Sequence, residues 1–176
     1  MKTYSNDPLL FLDIDGVLNS RKTFSEKKLK ASEAIENDES LSMDARIRAH
    51  YLSMLDPELI ENLNVFLDKT ACHVVLSSAW RIMHGVSGMN ELLKTQGFRH
   101  IVTASTPCID EGWSVRGNEI QAWLNENRKY DFKRYVIFDD DSDMLLQQKD
   151  HFFQTSFKEG LTSEICQEAW EFLREK

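Results

Sequence analysis

Short apolar runs separated by stretches of helical period constrain this chain more than any other feature of it. Leu9-Leu10-Phe11-Leu12, His73-Val74-Val75-Leu76 and Tyr135-Val136-Ile137-Phe138 are each about one strand long and show no apolar/polar alternation. A strand buried on one face alternates; an unbroken run is buried on both. His100 to Thr103 and His151-Phe152-Phe153 read as two shorter strands. Between them the period changes. Leu59, Ile60, Leu63, Phe66 and Leu67 share one helical face behind Asp56-Pro57, a capping residue followed by a proline suited to the first helical position. A short helix with Leu92 and Leu93 should stop at Gly97. Ile120, Trp123 and Leu124 make the next stripe, a brief helix surrounds Met144-Leu145, and Ile165, Ala169 and Phe172 line the last one. Strands alternating with helices predict an α/β fold, a parallel sheet of about five strands with helices on both faces. Ligands of such sheets bind beyond the carboxyl ends of the strands.

No repeat, low-complexity tract or linker interrupts the pattern, so one domain over residues 1–176 is expected. The stretch from Ser20 to Leu55 departs from it, being several times longer than the ~2–6 residues usual between such elements. It begins with five cations (Arg21, Lys22, Lys27, Lys28, Lys30) and continues with Glu33, Glu36, Asp38 and Glu39. Met43, Ile47, Tyr51, Met54 and Leu55 then keep helical spacing. The expectation is a mobile loop and an amphipathic helix, a cap-like insertion over the mouth of the site.

Composition excludes several classes of function. A net charge of −8 lacks the basic footprint of non-specific nucleic-acid binding, so a nucleic-acid end would enter only as a substrate. Cys72, Cys108 and Cys166 are widely spaced and form no CxxC pair, which argues against a disulfide framework or a zinc site. No apolar run is long enough to span a bilayer, and MKTYSNDP does not read as a signal peptide. A cytoplasmic location is the expectation. The histidines show no metal-ligand spacing, and no nucleotide P-loop is present.

Chemistry concentrates where strands end. Asp13 and Asp15 leave the first apolar run and are followed by Gly16. Two carboxylates so placed can face one ligand, one as nucleophile and the other moving protons. An Asx-type turn after a strand has the same spelling. Asp139-Asp140-Asp141-Ser142-Asp143 follows the expected fourth strand, Tyr135 to Phe138; acids this dense repel, and a divalent cation with oxygen ligands, Mg²⁺, relieves them. Asp141 and Asp143 also suit a solvated turn capping a helix. Ser77 and Ser78 offer hydroxyls and backbone N–H groups to a phosphoryl oxygen, although a serine pair is commonly just a helix cap. Arg116 opens a helix, where anions are favoured, and could neutralise charge on a transferring phosphoryl group. Trp80-Arg81 could add contacts at the mouth, with Trp80 alternatively in the core. Trp113 could stack on a substrate ring, with loop packing as the plainer reading.

Taken in order, FLDIDGVLN, VVLSSAWR, RGNEIQAWL and YVIFDDDSD resemble the motifs of the haloacid-dehalogenase (HAD) phosphohydrolase superfamily. Their spelling is similar to the small bacterial HAD domains associated with RNA-repair proteins, over roughly Leu9 to Phe172 with the insertion excepted. The resemblance implies a three-layer Rossmann-like core and a Mg²⁺-dependent phosphatase acting on a phosphorylated substrate. It implies Asp13 as the nucleophile that becomes an aspartyl phosphate. Asp15 matches the general acid/base, and its backbone carbonyl a metal ligand. Asp139 matches the fourth-motif metal ligand, Asp140 the second acid, and Ser77, with Ser78, the phosphate-binding hydroxyl. The third-motif cation stays open between Arg116, Lys133 and Arg134. A competing expectation is a catalytically degenerate HAD fold that binds phosphate or docks a partner; the self-repelling Asp13/Asp15 pair speaks against it. The insertion is smaller than a full cap, which favours an open site able to admit a phosphoprotein or a nucleic-acid end.

Overall fold

The structure, a computed structural model, describes residues 7–24, 30, 33–109, 115–127 and 134–176. Lys27, Lys28, Trp113 and Lys133, singled out above, lie outside them. Five parallel strands form one sheet: β1 (Leu9–Leu12), β2 (His73–Leu76), β3 (Val102–Ser105), β4 (Tyr135–Asp139) and β5 (Phe152–Gln154), in the order β3-β2-β1-β4-β5. The helices are α1 (Met43–Ser53), α2 (Pro57–Thr70), α3 (Trp80–Thr95), α4 (Arg116–Glu126) and α5 (Ser163–Arg174), with a 3₁₀ turn over Leu146–His151. The α/β, three-layer, Rossmann-like expectation holds.

Side-chain alternation in the strands divides the core. Leu10, Leu12, Val74, Leu76, Val136 and Phe138 face α2, α3 and α5; Leu9, Phe11, Val75, Tyr135 and Ile137 face α4. All of these except Tyr135 are at most 1% exposed, which is why the central strands read as unbroken apolar runs. Helix α2 is capped by Asp56, whose carboxylate accepts from the Glu58 N–H, and buries Ile60, Leu63, Phe66 and Leu67. Burying four such side chains is worth roughly 1.5–3 kcal/mol each relative to exposure.

Four expectations about the elements need correction. The third strand lies two residues later than His100–Thr103, because this edge strand is half-exposed and carries Thr103 and Ser105. The helix after β2 is long, not short; it kinks at Gly85, whose φ of 59° and ψ of −178° suit only glycine. The brief helix around Met144-Leu145 is instead the 3₁₀ turn that begins at Leu146. The insertion helix α1 differs in kind from its expected form. None of its residues is buried, and Met43 and Ile47 are 63% and 42% exposed, so it is scarcely amphipathic. No helix among the described residues is long and apolar enough to cross a membrane.

Candidate active site

Register builds the site. Leu12 pairs with Leu76 and with Phe138, so one residue further on Asp13, Ser77 and Asp139 stand side by side at the carboxyl edge. The ladder continues there: the Asp13 N–H donates to the Phe138 carbonyl and the Ser77 N–H to that of Leu12, at 3.0 and 2.8 Å. By alternation these three side chains share the face covered by α4. That helix opens with Arg116, and its guanidinium meets the carboxylates: Nη2 lies 3.6 Å from Asp13 Oδ1 and Nε 3.2 Å from Asp139 Oδ2. The closer pair is not aligned for a hydrogen bond, so Arg116 Nε and Asp139 Oδ2 are both buried without a hydrogen-bond partner.

Gly16 completes the turn after Asp15. Its φ of +66° is the left-handed conformation that favours glycine, and a Cβ there would overlap the Asp140 side chain. Asp140 therefore folds over the turn. Asp13, Asp139 and Asp140 each bring a carboxylate oxygen into one group, all within 4.8 Å of one another. The Asp15 carboxylate stands outside that group, held by the Asn19 side-chain amide at 2.8 Å and by Trp80 Nε1 at 3.0 Å. The Asn19 side-chain carbonyl accepts from the Gly16 N–H at 2.8 Å and closes the turn.

Burial makes this cluster electrostatically tense. It pushes Asp13 up to about 6 against the opposing pull of Arg116 and of a hydrogen bond from Ser78. It pushes Asp139 up to about 7, and the Asp13 carboxylate adds to the shift. Asp140 is also raised, chiefly by burial. Such an arrangement attracts a cation and, through Arg116, an anion beside it.

Of the serine pair, Ser78 bonds to Asp13, while the Ser77 hydroxyl is fully buried and unpartnered. Arg134 belongs elsewhere. Its carbonyl accepts from the Leu9 N–H at the amino end of β1, a strand length away from Asp13. Arg116 is the cation that the described residues bring to the acids.

Several neighbours are poorly legible in sequence. Trp80 is neither a mouth contact nor simply core, since it is 7% exposed and donates to Asp15. Arg81 is buried and braced by backbone carbonyls and Glu119, and with Glu119 it lines the cavity at the mouth. Asp143 does more than cap with its charge: its carboxylate accepts from the Arg116 N–H at 2.8 Å, which seats the first turn of α4. The nearby Asp141 stays exposed. Asn19, quoted only as part of a motif, gives no local signal beyond its spacing from Asp15. A cavity of about 210 Å³ opens beside this edge, between Arg116, Cys108, Ile82, Asp141 and Asp143.

A row of buried acids with a cation against them suits the handling of a phosphoryl group. Comparison with known proteins agrees. The family model for the HAD domain in Swiss Army Knife RNA repair proteins matches residues 9–166. No curated protein and no solved structure matches the chain. The matched stretch starts at β1 and contains every group gathered at the carboxyl edge, and the chain belongs to this family of HAD domains from RNA repair proteins.

Proposed function

We propose that the chain is a Mg²⁺-dependent phosphatase that hydrolyses a phosphomonoester through an aspartyl phosphate on Asp13. The convergence of Asp13, Asp139 and Asp140 within 4.8 Å, with Arg116 against two of them, carries this reading. The donor set fits the ion: three carboxylates, oxygen ligands only, and on Asp139 a buried oxygen without a hydrogen-bond partner. Asp13, Asp139 and Asp140 would hold it, with the Asp15 carbonyl as the further ligand that the family resemblance implies. When bound, the ion neutralises the acid cluster and draws charge from the phosphoryl oxygens.

The chain's own groups divide the remaining work. An Asp13 carboxylate oxygen attacks phosphorus as the ester P–O bond breaks, and Asp15 gives the leaving oxygen its proton. Asp15 then takes a proton from water, whose oxygen attacks phosphorus; the bond to Asp13 breaks and inorganic phosphate leaves. Arg116 and the Ser77 hydroxyl hold the non-bridging oxygens, with Ser78 orienting Asp13. Asn19 and Trp80 keep Asp15 in one rotamer. The insertion over 20–55 acts as a small cap within a single domain and leaves room for a macromolecular phosphate, a nucleic-acid end or a phosphoprotein. The RNA-repair family favours the nucleic-acid end.

Rates on an aryl phosphate before chelation, in chelator and after restoring Mg²⁺ test the reading. Activity should vanish and return. Full activity in chelator would sink the metal, and phosphate binding without any turnover would make the chain a degenerate binding module. A panel of 3′- and 5′-phosphorylated oligonucleotides, nucleotides, sugar phosphates and phosphopeptides then ranks substrates.

A further inference from the structure

Beside the partly exposed Arg116 stands a buried arginine whose work the reaction above does not use. Arg81 has side-chain exposure of 5%, and all five of its N–H groups are spent. Nε donates to the Thr106 carbonyl, Nη1 to those of Ser77 and Ser78, and Nη2 to Pro107 O and to Glu119 Oε2, the last at 2.6 Å. Glu119, also 5% exposed, accepts from Arg116 Nη1 through the same Oε2, at 3.4 Å, and its Oε1 accepts from the Ile109 N–H. We propose that Arg81 and Glu119 are positioning residues that hold Arg116 toward the phosphoryl group and leave its charge free for it. The proposal rests on the reading of Arg116 as the phosphate-binding cation.

Two physical points carry it. Arg116 touches three carboxylates, and two of them, Asp13 and Asp139, belong to the acid cluster that a cation would engage. Glu119 is the anchor that remains. Left alone with Arg116, Glu119 would also cancel its charge. The Arg81 guanidinium balances Glu119 first, so the trio keeps one net positive charge, located at Arg116. Geometry adds a second link, since the guanidinium that holds Glu119 also holds the Ser77 and Ser78 carbonyls. The hydroxyl side and the cation side of the site thus share one brace. Stability is a poor explanation for it, because buried ion pairs are often replaceable by apolar groups without loss.

Glu119→Gln separates positioning from scaffolding, since the amide carbonyl can still accept from Arg81 while the charge is gone. Binding of inorganic phosphate and kinetics on an aryl phosphate are measured in the wild type, Glu119→Gln, Arg116→Ala and the double variant, with near-UV circular dichroism reporting the fold. Glu119→Gln should weaken phosphate binding and raise KM roughly 10–100-fold, with a smaller change in kcat, the scale of losing a group that orients a binding residue. Added to Arg116→Ala, it should cost nothing more. Equal losses in both backgrounds, or wild-type phosphate affinity in Glu119→Gln, would overturn the proposal. If Glu119→Gln does not fold, Glu119→Asp, which keeps the charge but withdraws it by one methylene, enters the same cycle under the same criteria. A wild type that binds phosphate yet hydrolyses nothing would refute the phosphatase reading and leave this test standing; a wild type that binds no phosphate would refute this proposal too.

Discussion

The carboxyl edge of the sheet and the inserted helix α1 lie close together but are held in opposite ways. At the edge, strand pairing fixes Asp13, Ser77 and Asp139, and α4 is pinned by Asp143, Glu119 and the close approach of Gly117 to the Leu145–Gln148 turn. Helix α1 buries none of its own residues. It rests on Tyr51, edge-on to Trp80 at 5.2 Å, on a bond from the Gln96 side chain to the Leu52 carbonyl, and on the exposed Arg48–Glu91 pair. The ends of the insertion are tied where the Thr23 hydroxyl donates to the Asp56 carboxylate at 3.1 Å. Charge that repels itself needs a rigid frame. A segment that gives way to substrates needs few contacts, since weakly packed elements open at low cost.

The largest effects should come from the rigid side. Asp13→Asn should abolish turnover, because an amide cannot form the acyl phosphate, while Asp15→Asn should lower it by ~10²–10⁴-fold. Neither should weaken the fold, and Asp13→Asn should raise the unfolding temperature of the metal-free chain by relieving repulsion with Asp139. Rapid-quench labelling of the wild type checks the chemistry. Phosphate recovered on a serine would break the assignment of Asp13.

An intermediate effect follows from the raised carboxyl groups. Asp13 and Asp139 protonate at about 6 and about 7 in the folded chain, against 3.8 as the ordinary value. Groups raised by folding contribute stability that is fully present below the unfolded value and lost as pH rises through the folded one. The metal-free chain should therefore unfold at a lower temperature at pH about 8 than at about 5, and Mg²⁺ should stabilise it more at the higher pH. His84 and His151, lowered by burial, push the other way, since they lose stability as pH falls below 6.5. Asp139→Asn keeps both histidines and isolates the carboxyl contribution. If it showed the wild-type pH dependence of unfolding, the acid cluster would not be the tense element that the contrast requires.

Legibility in sequence divides along the same line. β1, β2 and β4 could be read because strands buried on both faces leave unbroken apolar runs, and the acids stand out where the runs stop. Register then placed Asp13 and Asp139 side by side without any further signal. Arg81 and Glu119 could not be paired in this way, since 38 residues separate them and each looks like a surface charge in its local pattern. The same holds for Trp80, which reaches Asp15 across 65 positions. β3 was displaced because an edge strand with threonine and serine loses the apolar signature. For α1, helical spacing was real but burial did not follow: Tyr51 and Leu52 pack only partly against the core, while Met43 and Ile47 face a groove.

That groove provides the smallest expected effect and the sharpest test of the contrast. Met43, Ile47, Tyr51 and Met83 line it with Glu36, Arg46 and His50, and it encloses about 420 Å³. Met43 and Ile47 are exposed, so replacing both with serine removes little buried area. Surface changes of this kind usually fall within about 0.5 kcal/mol, which for a chain this size moves the unfolding temperature by only ~1–2 °C. Helix propensity changes little, and Tyr51 still holds α1 against Trp80. Hydrolysis of a small aryl phosphate should stay at the wild-type rate, because neither residue approaches Asp13 or Asp15. A phosphorylated oligonucleotide is the informative partner in this comparison. If the insertion meets large substrates, KM for the oligonucleotide rises in the double variant while kcat holds. A fall of many degrees in unfolding temperature would instead show that α1 is bound into the core through these residues, and the distinction between a rigid edge and a loosely held cap would collapse.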